Sequence, residues 1–405
     1  MEHEYGMKKI LLLLTVAVIA FPTKAQKIYT LNSPDGRLQT EVVPLDGGLS
    51  CHLGLDDGLL MRSFLALDYT QGDKEFQSLT VRKATRRSVD ETIASPFTRQ
   101  ATMRDRYNEL TLTMKEGVSV VFRAYDEGFA YRFVWEGKPG KVRKETVEYY
   151  FQDDWTTTAP YVISFDSTRH EIQYSTSFEN HYTTQPLSQL DPRRLCFLPL
   201  LVHGPDGVKM CLTESTLLDY PGLYLHGTGK PGELAGEHAP LPKRVEQGGH
   251  NNLQLIVKER EDYVAEMNKE KLFPWRILMV GSAEEIAMNN MSYLLGEPSK
   301  VQDISWIKPG KVAWDWWNNW NIGDVNFKAG INNDTYMHYI DFASRFGIEY
   351  VILDEGWAVN GKADLFQVVP EIDLPMLVQY AKERNVGIIL DRDRKSGSAG
   401  MPRPI

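Results

Sequence analysis

Tyr350-Val351-Ile352-Leu353-Asp354-Glu355-Gly356-Trp357 decides how the chain is read. Four consecutive apolar residues without polar alternation read as a strand buried on both faces, and such strands belong to parallel sheets covered by helices. The run ends in two carboxylates, a glycine and a tryptophan, at the end of the strand where α/β folds place ligand sites. Upstream, the spacing predicts a helix over 333–347, capped by Asn333 or Asp334, with Tyr336, Tyr339, Ile340, Ala343 and Phe346 inward and Gly347 as its stop. Before it, an apolar run over 312–314 leads into Trp314-Asp315-Trp316-Trp317-Asn318-Asn319-Trp320. Downstream, a helix over 373–385 runs into a strand over 386–390. Strand starts at 312, 350 and 386 lie 38 and 36 residues apart, the spacing of right-handed β–α units in a parallel sheet. Such a sheet is either open and doubly wound or closed as a (β/α)8 barrel. A dinucleotide-binding unit would carry a Gly-rich turn after its first strand. Here that turn holds four tryptophans, two asparagines and an aspartate.

From residue 27 to about 279 the pattern has period two, as half-buried antiparallel strands do. Leu110, Leu112 and Met114 alternate with Thr111, Thr113 and Lys115. Val118, Val120, Phe122 and Ala124 share one face, as do Phe129, Tyr131, Phe133 and Trp135. Asp126-Glu127-Gly128 between them reads as a turn, with Gly128 free to take positive φ. Strands recurring over this length suit one large β-sandwich. One helix is expected from Ser282, where Ser282 and Glu285 form a capping box, with Ala287, Met291 and Leu294 as its stripe and Gly296 as a left-handed stop. A connector with Pro298, Pro309 and Gly310 separates the two parts.

The first residues read as a targeting segment. Lys8 and Lys9 precede an apolar run over 10–21, and Thr23-Lys24-Ala25 supplies a cleavage site, so the mature protein is expected to be exported and periplasmic. That run is too short to span a membrane, and no other stretch is longer. Of the 405 residues, 42% are hydrophobic and 24% charged, an ordinary globular balance that excludes disordered and fibrous classes. The net charge of -9 and the lack of a basic tract argue against nucleic acid as a partner. The three cysteines form no CxxC motif, which removes zinc and redox readings.

Two strand ends pair acids with tryptophans: Asp315 with Trp316 and Trp317, and Asp354 and Glu355 with Trp357. Sugars ask for this combination, because their C–H faces stack on flat rings while vicinal hydroxyls need bidentate acceptors. Asn318 adds a donor and an acceptor. Adjacent residues leaving a strand point in different directions, so Asp354 and Glu355 cannot flank one glycosidic bond as acid and nucleophile. They read as hydroxyl ligands, and no residue is assigned as catalytic.

These residues, together with Leu31-Asn32-Ser33-Pro34-Asp35-Gly36, Arg106-Tyr107-Asn108-Glu109-Leu110, Asp126-Glu127-Gly128-Phe129-Ala130-Tyr131-Arg132 and Ser305-Trp306-Ile307-Lys308-Pro309-Gly310-Lys311, resemble glycoside hydrolase family 97 over almost the whole chain. The resemblance implies an N-terminal β-super-sandwich followed by a (β/α)8 barrel, here incomplete, with about three β/α units. The implied parts are a signal peptide over 1–25, the sandwich over 26–297, a linker over 298–310, the partial barrel over 311–390 and an irregular tail over 391–405. Leu353-Asp354-Glu355-Gly356-Trp357 is similar to the Asp-Asp-Gly-Trp signature of related α-galactosidases, so the retaining, α-galactoside-hydrolysing branch is expected, with α-glucosidase or a non-catalytic carbohydrate-binding remnant as alternatives. By the same logic Asp315 is a further galactose ligand. The family binds calcium beside its substrate, and Glu171, with Glu179 as second choice, best matches the sandwich-derived ligand. One glutamate cannot make such a site alone, because calcium takes six to eight oxygens.

The resemblance also implies that nucleophile and acid/base lie on later barrel strands. Only 95 residues follow Gly310, while a whole barrel takes roughly 250. The sequence is therefore expected to be a truncated or frame-shifted product without activity. Asp391 and Asp393 sit in a Gly/Ser/Arg-rich tract and are not promoted to nucleophile.

Overall fold

The computed structural model describes residues 27–391 except 96–97, 164–169, 175, 177, 179, 250–253, 269–270, 355 and 360–365. The period-two segments form two large sheets packed face to face. One has nine strands, its main path running Tyr29–Asn32, Leu38–Leu45, Gly48–Leu55, Gly58–Gln71, Gly140–Phe151, Glu233–His238 and Leu223–Gly227. The other has ten, running from Thr183–Pro186 through Thr156–Ala159, Leu200–His203, Lys209–Ser215, Trp275–Gly281, Gly128–Trp135, Val118–Tyr125 and Thr102–Met114 to Val81–Ala94. Alternation dictates the core. Leu49, Leu65 and Val147 from the first sheet meet Leu110, Val120, Phe122, Phe133 and Leu212 from the second in one buried cluster.

At the hairpin between Val118–Tyr125 and Gly128–Trp135 the turn is Asp126-Glu127, and Gly128 is a strand residue without positive φ. The expectation of a left-handed Gly128 fails for a packing reason. A Cβ there would lie 2.5 Å from both the Leu278 carbonyl oxygen and Met291 Sδ, so the glycine serves close approach. The expected single helix from Ser282 is two short ones, Ala283–Met288 and Met291–Leu294. The Ser282–Glu285 capping box forms. Asn289 then turns extended, and its Oδ1 accepts the Met291 N–H at 2.9 Å, restarting the helix. Ala287 is consequently exposed, while Met291 and Leu294 are buried, and Gly296 is not left-handed.

Residues 297–311 carry no helix or strand and lead to a three-stranded parallel sheet, Val312–Trp314, Tyr350–Leu353 and Gly387–Leu390 in that order. Helices Asn333–Phe346 and Leu374–Glu383 connect the strands. Asn332, not Asn333 or Asp334, caps the first helix, its Oδ1 accepting the Thr335 N–H at 3.0 Å. Phe346 is exposed and stacks on Phe342 instead of entering the core, while Gly347 ends the helix at φ 64 as expected. Asp373 caps the second helix through the Met376 N–H.

Both helices cover the same face of this sheet. Ala313, Val351 and Leu353 pack with Tyr336, Ile340, Ala343, Leu377 and Ala381. The register puts Val312, Trp314, Ile352 and Ile389 on the other face, where Val312, Trp314 and Ile389 are 45%, 39% and 40% exposed. No helix among the described residues is long and apolar enough to cross a membrane.

Candidate functional site

The C-terminal ends of the first two parallel strands bring Asp315 and Asp354 together, on opposite faces of the sheet. After Trp314 the chain makes a short 3-10 turn, Trp316–Asn318, and then two consecutive left-handed residues, Asn319 at φ 53 and Trp320 at φ 51. This folds the Trp320 indole back over Asp315. Asp315 has no exposed surface, and its Oδ2 accepts the Tyr336 hydroxyl at 2.6 Å and Trp320 Nε1 at 3.0 Å. The backbone N–H of Asp354 lies 3.4 Å from each Asp315 oxygen, a long, shared contact. Burial raises the Asp315 pKa above the ordinary carboxylate value, and the hydrogen bonds from Tyr336 and Trp320 offset part of that rise.

Asp354 is half-buried on the opposite face, where its carboxylate accepts the indole N–H of Trp314. Trp314 in turn lies against Trp317, ring centroids 6.2 Å apart, and Trp317 is 82% exposed. Trp316 is partly exposed, edge-on to Trp320. Asn318 commits its amide to the helix and the loop: Oδ1 accepts the Tyr339 hydroxyl at 2.7 Å and Nδ2 donates to the Asn321 carbonyl at 2.7 Å.

The sequence-predicted site residues thus separate. Asp354, Trp316 and Trp317 stand at the rim, whereas Asp315 faces the helix Asn333–Phe346. Trp357 is only 2% exposed and donates its indole N–H to the Asp391 carbonyl at 2.6 Å, so it offers no open ring. Alternation explains this: Asp315 and Leu353 continue the helix-facing parity, and Trp314 and Asp354 the open one. Sequence reasoning placed Tyr336 in the core and left Trp314 and Trp320 out of the site. The parity of Ala313 against Trp314 was the available signal. Glu355 and Glu179 lie outside the described residues.

Glu171 sits on the short helix His170–Tyr174, bound through both oxygens by the Arg260 guanidinium, with Nη2 to Oε1 at 2.7 Å. Among the described residues no three His, Cys, Asp or Glu side chains converge as a metal site. These described residues therefore do not make up a calcium site around Glu171.

The family model described as glycosyl-hydrolase 97 N-terminal matches residues 31–298, and the glycoside hydrolase 97 model matches 316–398. A "retaining alpha-galactosidase" of Bacteroides thetaiotaomicron is 50% identical over 389 residues, 95% of this chain and 58% of that protein. A "probable retaining alpha-galactosidase" of Streptomyces bingchenggensis is 26% identical over 279 residues, covering 66% of this chain and 36% of that one. The chain thus spans little more than half the length of the first of these relatives. Among solved structures, a glycoside hydrolase family 97 enzyme from a Pseudoalteromonas strain, in complex with acarbose, superposes with a TM-score of 0.71 at 23% identity, over 89% of this chain and 53% of its own. A beta-arabinopyranosidase gives the same TM-score at 20% identity, over 89% of this chain and 55% of its own. With both family models matching and half of the residues shared with a relative along nearly its whole length, the chain belongs to glycoside hydrolase family 97.

Proposed function

We propose that the protein acts on terminal α-galactosides, with net retention by double displacement, and that the Trp314–Asp354–Trp317 rim binds the galactose ring. The carrying observation is the Asp354 carboxylate held by the Trp314 indole beside an exposed Trp317 ring, at the C-terminal end of a parallel strand. Carboxylate and ring together suit a pyranose, whose hydroxyls and C–H face are recognised at once. The 50% identical relative named a retaining alpha-galactosidase supports galactose over glucose.

The three parallel strands belong, in this reading, to a (β/α)8 barrel. Their helix-covered face is its outside, and the open apolar face with Val312, Trp314 and Ile389 its inside. Glu355, next in the chain, is assigned to the same sugar. Calcium comes only from the family resemblance; Glu171 would have to exchange Arg260 for the cation. Export and cleavage after Ala25 likewise rest on the sequence, and N-terminal sequencing of protein from its native host checks them.

Calorimetry with methyl α-galactopyranoside and methyl α-glucopyranoside tests the proposal. Galactoside is expected to bind at least about tenfold tighter, and Asp354→Asn to weaken it by about tenfold, the loss of one good charged hydrogen bond. Equal or reversed affinities, or no binding of either, would sink the assignment. Any galactose released from nitrophenyl α-galactoside should emerge first as the α-anomer, and first appearance of the β-anomer excludes retention.

A further inference from the structure

We infer that Asp315 is a positioning residue: it pins the backbone where the strand Tyr350–Leu353 ends and so aims Asp354, with Trp320 as the strained clamp that holds it. This rests on the reading of Asp354 as the sugar-facing carboxylate, and it takes Asp315 itself out of contact with the sugar.

Three observations carry it. First, Asp315 is fully enclosed and meets neutral donors: the Tyr336 hydroxyl, the Trp320 indole and the backbone amides of Asp354 and Trp316. Among the described residues no Lys, Arg or His forms an ion pair with it. A buried carboxylate without a cation is costly, and an apolar residue would fill the space with less penalty.

Second, Trp320 is held left-handed at φ 51 directly after a left-handed Asn319. A bulky side chain in that region is strained, and such strain persists only where the surroundings over-determine it. Here they do. The Trp320 backbone N–H donates to the Asp315 carbonyl at 3.0 Å, its indole N–H to the Asp315 carboxylate and to the Tyr336 hydroxyl, and its ring meets Trp316.

Third, both Asp315 oxygens straddle the Asp354 amide across neighbouring strands. They reach no other described element except the helix Asn333–Phe346, through Tyr336, and the Trp320 loop. Fixing that amide fixes the direction in which the Asp354 side chain leaves the strand, toward the Trp314 indole on the opposite face.

The experiment substitutes Asp315→Asn and Tyr336→Phe in the whole chain labelled with 5-fluorotryptophan. Fluorine resonances are assigned by single Trp→Phe changes, and hydrogen exchange is followed over the peptide spanning 350–354. Asp315→Asn is expected to move the Trp320 signal, which it touches, and also that of its chain neighbour Trp314, whose indole donates to Asp354 on the opposite face. Exchange at Asp354 should quicken about tenfold. Tyr336→Phe, which leaves the charge in place, should move the same two signals less. Overturning results are a Trp314 signal and a 350–354 exchange rate unchanged in Asp315→Asn, or unchanged in Tyr336→Phe should Asp315→Asn fail to fold. In calorimetry with methyl α-galactopyranoside, a positioning role predicts that Asp315→Asn weakens binding only while Asp354 is intact. The same fractional loss on top of Asp354→Asn would make Asp315 a ligand in its own right and refute the inference. Absence of any sugar binding by the unsubstituted chain would refute the galactoside reading, while the fluorine and exchange results still decide the positioning role.

Discussion

In the sandwich, buried carboxylates meet a buried guanidinium; at the end of the first parallel strand, a buried carboxylate meets only neutral donors. Arg276, from Trp275–Gly281, donates from Nε and Nη2 to the two oxygens of Glu145 at 2.9 and 2.7 Å, and from Nη1 to Glu214. It also donates from Nη2 to His238 Nε2 at 2.8 Å, which requires that nitrogen to be unprotonated. Glu145 and His238 belong to one sheet, Arg276 and Glu214 to the other, so the cluster bolts the sandwich together through its core. Burial works against the charged form of Glu145, but Arg276 outweighs it and holds the group below its ordinary carboxylate value. Among the described residues Asp315 meets no cation, and burial leaves its pKa raised. Charge closed on itself marks a fastening, whereas charge balanced only by hydrogen bonds, next to strained backbone, marks a place where geometry matters more than stability.

The sharpest way to break this contrast is to remove the sandwich cation. Arg276→Met leaves Glu145 and Glu214 enclosed without their cation and should cost about 3–5 kcal/mol in urea unfolding. A loss below about 1 kcal/mol would mean that the cluster is not a fastening.

The next effect is a pH slope. Burial pushes Glu214 up to about 7, and burial pushes His238 down to about 4. A raised carboxylate pKa contributes stability that is present below the unfolded value of 4.5 and lost as pH rises through the folded value. A depressed histidine pKa contributes stability that is present above the unfolded value of 6.5 and lost as pH falls through its folded value. Between these limits the two oppose each other, so the parent sandwich should be nearly flat in pH. Glu214→Gln removes one arm, and stability should then climb as pH rises from about 4 to about 6.5, by at most about 3 kcal/mol. A flat profile in that variant would break the opposition.

Smaller again is Asp315→Asn, where a burial penalty and several hydrogen bonds disappear together. Its net effect on unfolding of the parallel unit should stay within about 1 kcal/mol even as the strand end loosens. A loss as large as that of Arg276→Met would put Asp315 among the fastenings and erase the difference between the two regions.

The sandwich was legible because its core obeys one rule, alternation, and residues such as Leu110, Val120 and Phe133 fall where that rule puts them. The parallel strands were legible from length and spacing. What sequence alone missed was direction at the ends of elements. Gly128 was read as a turn residue because glycine invites that reading, while its reason lies 150 residues away in Leu278. Phe346 was assigned inward from helical periodicity, yet it stands at the last turn, outside the packed stripe. At the site, acid beside tryptophan singles out residues 315 and 354. Only the fold of the Trp316–Trp320 loop, with its two left-handed residues, shows that one acid is enclosed and the other stands at the rim.

Trp317 offers the smallest structural effect and the cleanest separation of site from scaffold. Its ring is 82% exposed and touches Trp314 at one edge of the rim, so its removal opens no cavity and frees no buried polar group. Trp317→Ala should therefore shift unfolding by less than about 0.5 kcal/mol, as exposed substitutions do. If the ring stacks on the sugar, affinity for methyl α-galactoside should nevertheless fall, by about five- to tenfold, because a stacked aromatic face contributes about 1 kcal/mol beyond its area. Calorimetry and urea unfolding on the same sample read the two quantities independently. Lost stability with unchanged affinity would place Trp317 in the scaffold, and the rim would then have to recognise its ligand through Asp354, Trp314 and Trp316.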